Sequence, residues 1–277
     1  MTIALRHAVP ASALASSLDP VEILGVPVTT RSLTEVAETV VAWAGAPRSA
    51  GPTRYVCATS AHGLVVGADD PTFRRILADA AIVTPDGMPL VWCGRLAGRA
   101  AMERVYGPTL TLEVCRRSAR HGLRHFFYGG AAGVADELAR VLADSFPGLI
   151  VAGTYCPPFR ELSEVEHDEI ADRINAAAPD IIWVGLSTPK QERWIAAMRS
   201  RVVAGVMLSV GAAFDFHTGR VPQAPSFLQR AGLEWLFRLV QEPRRLWRRY
   251  AYIVPKFIWL AFLQTALRRF ERGADRG

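Results

Sequence analysis

The chain is 277 residues long, 50% hydrophobic and 21% charged, the balance of an ordinary folded protein able to bury one large core, or one core plus an appendage. Its net charge of +6 is uneven: residues 220–277 hold 12 Lys and Arg against 4 Asp and Glu, whereas residues 1–219 hold 20 against 22. The four cysteines (Cys57, Cys93, Cys115, Cys156) form no CxxC pair and no cluster with histidine, which excludes a disulfide framework or cysteine–zinc site and fits reduced core thiols of a cytosolic protein.

In chain order, residues 1–20 read as a loose tail without the apolar core and cleavage site of a signal peptide. Residues 22–29, with Gly25 and Pro27, read as a short hairpin-like entry. Ser32 caps a helix over 33–43, and 46–53 is a Pro/Gly/Ser linker. Strands are expected at 55–58, 81–83, 125–128, 150–153, 181–184 and 206–210, with helices between them, the clearest at 133–145, 163–177 and 189–200. That alternation predicts an α/β domain over 21–219, a Rossmann-like, largely parallel sheet with helices on both faces. No internal repeat or low-complexity tract interrupts it. The shift in composition near residue 220 marks the one domain boundary, and beyond it 220–277 reads as a helical, Arg-rich appendage.

Three loops at strand ends carry candidate chemistry. The first is the Pro85-Asp86-Gly87 turn, between a strand and an apolar helix. Asp86 there is either a turn or N-cap residue or a general base, because open α/β sheets bind ligands at the carboxyl ends of their strands. In the second, Gly129 and Gly130 precede Gly133-Val134-Ala135 and resemble a phosphate-cradling strand–glycine–helix turn. The full GxGxxG is absent, and a tight βα turn needs such glycines without any ligand. In the third, residues 210–219, Asp215 accepts hydrogen bonds from a ligand or caps a turn. His217 reads as a turn residue ahead of a metal ligand.

The most informative segment is Pro189-Lys190-Gln191-Glu192-Arg193-Trp194, which follows the apolar run 181–185 and the loop Leu186-Ser187-Thr188. Pro189 suits a first helical position, where a missing N–H costs nothing. The free N–H groups after it, with Lys190 and Gln191, are placed to hold an anion or a sugar hydroxyl. The plain alternative is a helix start with a charged, solvated face.

The appendage interleaves arginine pairs with large apolar residues, as in RRLWRRYAYIVPKFIWLAFLQTALRRF. Residues 251–267 fall short of a clean span of about 20 residues, and Pro255, Lys256 and Gln264 interrupt them. The pattern fits a helix lying in the headgroup plane of an anionic membrane. Docking on the body or on another subunit of a homo-oligomer is a second reading. Nucleic acid is a third, disfavoured because so many apolar residues would be wasted on a phosphate backbone. There is no D-x-D pair, G-x-S-x-G or P-loop. The run Glu164, Glu166, His167, Asp168, Glu169 reads as a solvated helix start rather than a metal site, so neither metal nor cofactor is expected.

Taken in this order, the blocks resemble the WecG/TagA/CpsF glycosyltransferases (glycosyltransferase family 26) over about residues 23–250. The resemblance rests on the PDG turn, ERVYG, FFYGGAAGVA with FPGLIVAG, PDIIWVGLSTPKQERW, VGAAFDFHTGRVPQAP and GLEWLFRLVQEPRRLWRRY. The last three together are highly specific. It implies a bacterial, metal-independent, inverting transferase on the inner face of the cell membrane. Such an enzyme moves a sugar, N-acetylmannosamine or a relative, from a UDP-sugar to a polyprenyl-diphosphate-linked saccharide, in making teichoic acid linkage units, enterobacterial common antigen, capsule or exopolysaccharide. It implies Asp86 as the base, Arg104 as an arginine important for activity, and Thr59 and Gln191 as lining the sugar-nucleotide pocket. It also implies that Arg244, Arg245, Arg248 and Arg249 are brought over the site when the appendage meets the membrane.

The chain departs from the family pattern at Ser60 (for Asn), Thr109 (for Asp), Ser187 (for Gly) and Gln223 (for Arg). All four bear on donor and acceptor more than on reaction class. Two other classes stay open at this stage. A nucleotide-sugar epimerase or dehydrogenase is disfavoured by the incomplete glycine fingerprint and the lack of a Tyr-x-x-x-Lys pair; the other is a non-catalytic membrane adaptor of the same fold.

Overall fold

The structure, a computed structural model, describes residues 20–48 and 51–274. Residues 1–19, read above as a tail, and 49–50 of the linker lie outside the described residues, as do 275–277. An antiparallel hairpin of β1 (Val21–Ile23) and β2 (Val26–Val28) turns through Leu24 and Gly25, both at positive φ. The main sheet follows: β3 (Arg54–Thr59), β4 (Ile82–Pro85), β5 (Arg124–Gly129), β6 (Ile150–Tyr155), β7 (Ile181–Gly185) and β8 (Val206–Ser209). All are parallel, in the order β4-β3-β8-β7-β5-β6. Every expected strand is present, with bounds shifted by no more than two residues.

Helices fill the connections: α1 (Leu33–Gly45), α2 (Ala61–Asp69), α3 (Pro71–Ala78), α4 (Met88–Leu96), α5 (Gly107–Ser118), α6 (Val134–Ser145), α7 (Glu164–Ala176), α8 (Lys190–Met198) and α9 (Ala213–His217). The appendage adds α10 (Ser226–Arg230), α11 (Glu234–Gln241) and α12 (Pro243–Ala274). Ser32 with Glu35, and Ser163 with Glu166, close capping boxes at α1 and α7, each stabilising its helix by about 1 kcal/mol.

Successive strand side chains go to opposite faces, and both faces are buried. Tyr55, Cys57, Phe126, Tyr128, Ile182 and Val184 join one apolar cluster; Val56, Phe127, Ile181 and Trp183 join the other. Burial on both sides is why these strands are near-continuous apolar runs rather than alternating ones. The first cluster is closed by α2, α3, α7 and α8, through residues such as Leu64, Phe73, Ile174 and Ile195. The second is closed by α1, α5, α6 and α9, through Val40, Val114, Leu138 and Phe214. At one edge the hairpin covers β4, where the Thr29 N–H donates to the Val83 carbonyl (2.8 Å). At the other edge β6 leaves Ile150 and Val151 exposed.

The neighbours β3 and β8 send their following helices to opposite faces: Leu64 and Val65 of α2 belong to the first cluster, Ala213 and Phe214 of α9 to the second. A crevice therefore opens between the carboxyl ends of these two strands, at the switch point of the sheet.

The appendage returns to the body. Leu246, Ile253 and Phe257 form a buried stripe on α12, two of them in the first cluster. Lys256 Nζ and the Tyr252 hydroxyl both donate to the Asp69 carboxylate at the end of α2. Gln264 Oε1 accepts from Leu24 N–H (3.2 Å), and Arg268 donates to the Glu22 carbonyl in the hairpin. The opposite side of α12 carries Trp247, Ile258, Trp259, Phe262 and Leu267, all more than half exposed. The stretch Pro243–Arg268 is long and apolar enough to cross a bilayer, with a mean hydropathy of 1.2. In this structure it lies along the body.

One buried histidine ties the second face together. Trp183 Nε1–H donates to His125 Nδ1 (2.9 Å), so the imidazole proton sits on Nε2 and is given to Ser118 Oγ (2.7 Å). Burial drives this imidazole's pKa down to about 3, from about 6.5 in an unfolded chain. Between those values the unfolded chain binds a proton that the folded chain refuses, so stability falls as pH is lowered through the window. The slope reaches up to about 1.4 kcal/mol per pH unit. Urea midpoints measured from about pH 7 to about pH 5 should fall more steeply for the native chain than for His125→Gln.

Candidate active site

Asp86 follows β4 directly, and three contacts fix its turn. Its N–H donates to the Thr59 carbonyl (3.0 Å), and its Oδ1 accepts from the Gly107 N–H at the start of α5 (2.7 Å). Its carbonyl accepts from Arg104 Nε. Space is tight at Gly107: a Cβ there would stand 3.0 Å from the Val210 carbonyl and 3.3 Å from Asp86 Oδ1. The carboxylate thus sits beside the end of β8, at the switch-point crevice. Burial raises its pKa to about 6, opposed by Arg104 and the Gly107 N–H and aided by Glu234. A carboxylate so placed is ionised at neutral pH yet basic enough to take a proton.

Arg104 is held from several sides. Besides the Asp86 carbonyl, it donates through Nη1 to Gln229 Oε1 (3.0 Å) and through Nη2 to Glu234 Oε2 (2.6 Å). Its guanidinium lies 3.7 Å above the centre of the Tyr106 ring, a cation–π contact. The Tyr106 hydroxyl donates to the other Glu234 oxygen (2.8 Å). Gln229 and Glu234 belong to the appendage, so the appendage is part of this site. A hollow of about 210 Å³ opens here, lined by Arg104, Tyr106, Thr109, Ser226, Gln229 and Arg230.

At the next strand end, the amides after Pro189 are not free as the sequence suggested. Lys190 and Gln191 N–H both point to the Ser187 carbonyl (2.8 and 3.3 Å), because the Leu186–Thr188 turn folds that oxygen over the helix start. The Thr188–Pro189 peptide is cis, and Pro189 is the N-cap rather than the first helical residue. Lys190 is exposed and Gln191 is buried. Gln191 bridges two loops: Oε1 accepts from Gly211 N–H (3.0 Å) and Nε2 donates to Glu192 Oε1 (2.8 Å). Thr59 is buried with its hydroxyl unpartnered. A Cβ added at Gly63 would meet both Thr59 and Thr188, so these two side chains converge.

The remaining candidates are dispersed. Gly129 and Gly130 are explained by packing: a Cβ at Gly129 would stand 2.4 Å from the Gly185 carbonyl, and one at Gly130 2.6 Å from Val134. Asp215 is half-buried, and burial lifts its pKa against the pull of Arg238, Arg220 and Arg245. His217 bonds the Pro108 carbonyl (3.0 Å) and ties α9 to α5. Of the four appendage arginines, Arg244 and Arg248 are exposed and Arg245 pairs with Glu242 (2.7 Å). Arg249 helps to hold the half-buried His62 down to a pKa of about 4, burial being the larger cause. The charges that act most on Asp86 are instead Arg104, Glu234 and Arg238.

Glu234 and Arg238, one helical turn apart on α11, were missed in the sequence; their i, i+4 spacing on an otherwise apolar helix was the available signal. Of the departures, Ser60 lies beside Gly87, Thr109 lines the hollow, Gln223 meets the Tyr106 hydroxyl and Ser187 holds the α8 start. All four cysteines are free. Among the described residues no three His, Cys, Asp or Glu gather for a metal; Glu164 and Asp168 pair with Arg201, and Glu166 with Arg160.

A half-buried carboxylate of raised pKa beside a clamped arginine, at the switch point of an open parallel sheet, is the arrangement expected of an active site in an α/β enzyme. Comparison with known proteins makes the class specific. Residues 21–271 match the "Glycosyl transferase WecG/TagA/CpsF family", and the chain belongs to that family. It is similar to an N-acetylglucosaminyldiphosphoundecaprenol N-acetyl-beta-D-mannosaminyltransferase of Bacillus spizizenii, 33% identical over 207 residues, 75% of this chain and 76% of the relative. A Bacillus subtilis protein of the same name is 29% identical over 188 residues, 68% of this chain and 71% of its own. The chain is therefore a glycosyltransferase of cell-surface polysaccharide synthesis, which sets aside the dehydrogenase and adaptor alternatives.

Glu234→Ala should separate the appendage from the site. Leaving the Arg104 guanidinium and Tyr106 hydroxyl without their acceptor should cost about 1–3 kcal/mol of stability, read from urea unfolding. Because Glu234 raises the Asp86 pKa, the acid limb of activity should move to lower pH in the variant while its maximal rate drops.

Proposed function

We propose that this enzyme transfers an N-acetylmannosamine-like hexose, with inversion, from a UDP-sugar to a polyprenyl-diphosphate-linked saccharide. The relatives' names supply the kind of sugar and acceptor, and the raised pKa of Asp86 at the switch point carries the mechanism. Asp86 Oδ1 is held by Gly107, and the carboxylate takes the proton of the acceptor hydroxyl through its other oxygen. The freed oxygen attacks the anomeric carbon from the face opposite the leaving group. A C–O bond to the acceptor forms, the C–O bond to the diphosphate breaks, and the electron pair leaves with UDP.

The departing diphosphate gains charge that the chain must meet with fixed cations. The sequence has no D-x-D pair to bring a divalent ion to it, so arginines carry this load, consistent with a metal-independent reaction. Arg104 and Arg230 line the hollow beside Asp86. Arg104 is suited to phosphate because its fork is already oriented by Glu234, Gln229 and the Tyr106 ring.

The acceptor is a lipid, and the appendage offers a surface for its membrane. Trp247, Ile258, Trp259, Phe262 and Leu267 are exposed on α12, and Arg244 and Arg248 stand at its start. Large apolar side chains with flanking arginines suit the headgroup plane of an anionic bilayer. The same appendage carries Glu234 and Arg238, so contact with lipid and the setting of Asp86 are mechanically joined. The enzyme then acts as a peripheral protein on the cytoplasmic face, where its acceptor is anchored.

The decisive assay follows UDP release from a panel of UDP-sugars, with a short-chain polyprenyl-diphosphate saccharide, liposomes and EDTA present. Acceptor-dependent release from one donor should appear, with an acid limb near a pH of about 6. Asp86→Asn should bind UDP normally but turn over about 10²–10⁴-fold more slowly; a near-native rate removes Asp86 from the base role. Trp259→Ser combined with Phe262→Ser should weaken sedimentation with anionic liposomes at least about tenfold. Undiminished binding shifts the lipid-facing surface elsewhere.

A further inference from the structure

Glu192 is a carboxyl group that the transfer mechanism does not use, and its setting is unusual. It lies in the first turn of α8 with 1% of its surface exposed. Its Oε1 accepts two hydrogen bonds, from Thr188 Oγ1 (3.0 Å) and from Gln191 Nε2 (2.8 Å). Its Oε2 is buried with no hydrogen-bond partner. No arginine, lysine or histidine is paired with it among the described residues. The titratable group coupled to it is the Cys57 thiol on β3, whose own pKa is raised chiefly by burial and which an ionised Glu192 would raise further. An ionised carboxylate in this place would leave one oxygen charged, dry and unpaired, which is what buried charges in proteins avoid. Burial raises the pKa of Glu192, against the hydrogen bonds from Gln191, its own backbone and Thr188.

The two donors it accepts from matter more than the group itself. Because Glu192 Oε1 takes the Gln191 NH₂, the amide has one orientation, with its oxygen on the Gly211 N–H (3.0 Å). Thr188 is held in the same way and converges with Thr59 next to Gly63. The start of α8 and the β8–α9 loop are thus joined through the Gln191 amide, whose orientation one carboxyl oxygen of Glu192 sets.

We propose that Glu192 is a positioning residue of the transferase site, an uncharged acid that fixes Thr188 and Gln191, and through Gly211 the facing loop, in the arrangement the sugar nucleotide meets. The proposal rests on the transferase reading above. It predicts a hierarchy among substitutions. Glutamine at 192 reproduces a neutral acid: one oxygen that accepts from Thr188 and Gln191, and an N–H group in place of the O–H. Alanine removes the acceptor and lets the Gln191 amide turn.

Two measurements on the full-length enzyme test this. Infrared difference spectra of native protein against Glu192→Gln at neutral pH should show the carbonyl band of a protonated carboxylic acid in the native protein only. Its absence means that Glu192 is ionised and overturns the proposal. Kinetics should then give Glu192→Gln a KM for the donor and a kcat within about threefold of native, with an unchanged pH profile. Glu192→Ala should raise the donor KM at least about tenfold and change kcat less. A native KM in the alanine variant, or equal damage by glutamine and alanine, overturns the positioning role. A native enzyme that turns over no UDP-sugar refutes the transferase reading and this role with it, while the infrared band still reports the state of Glu192 by itself.

Discussion

The guanidinium of Arg104 joins segments that the chain visits far apart: the Asp86 turn, the Tyr106 entry to α5, and helices α10 and α11 of the appendage. Each of its contacts is ordinary by itself. Together they make the PDG turn, the hollow and the appendage one mechanical unit, because a planar fork bonded in several directions has little freedom to swing. The Asp86 carboxylate inherits this order, since Arg104 holds its backbone and Gly107 holds its Oδ1.

Two carboxyl groups near the crevice are both destabilised as anions, and the fold treats them differently. Asp86 has a guanidinium, a backbone N–H and a partly open setting, so its proton affinity is raised only into the working range. Glu192 has hydroxyl and amide donors on one oxygen and nothing on the other. The first arrangement suits the base proposed for Asp86, which would change charge in each cycle, and the second the uncharged positioning acid proposed for Glu192. Environment rather than residue type separates the two roles.

The sheet was readable because a strand buried on both faces leaves a short apolar run bounded by turn residues, as in Ile181–Gly185. The PDG turn marked Asp86 as lying at a strand's carboxyl end, but by position alone it left both a turn residue and a base open. What the sequence hid were facts of three-dimensional return. Arg104 and Glu234 are 130 residues apart, and no local pattern marks their meeting. The amides after Pro189 looked free because only the folded turn brings the Ser187 carbonyl over them. The appendage was read from composition as lipid-facing. A narrow stripe of that helix, Leu246, Ile253 and Phe257, is committed to the body, at intervals that keep one face of a helix together, and most of its remaining surface stays open.

The seat of α12 on the β1–β2 hairpin has a consequence for how the molecule is made. Leu24 and Gln264 lie 240 residues apart in the chain. At a ribosomal rate of about 5–20 residues per second, the hairpin emerges about 12–50 s before the helix that covers it. The Arg104 fork waits in the same way for Glu234. During synthesis the sheet strands therefore leave the ribosome before the anchor of the Asp86 edge, and the contacts of Arg104 with Gln229 and Glu234 close only when the last helices follow.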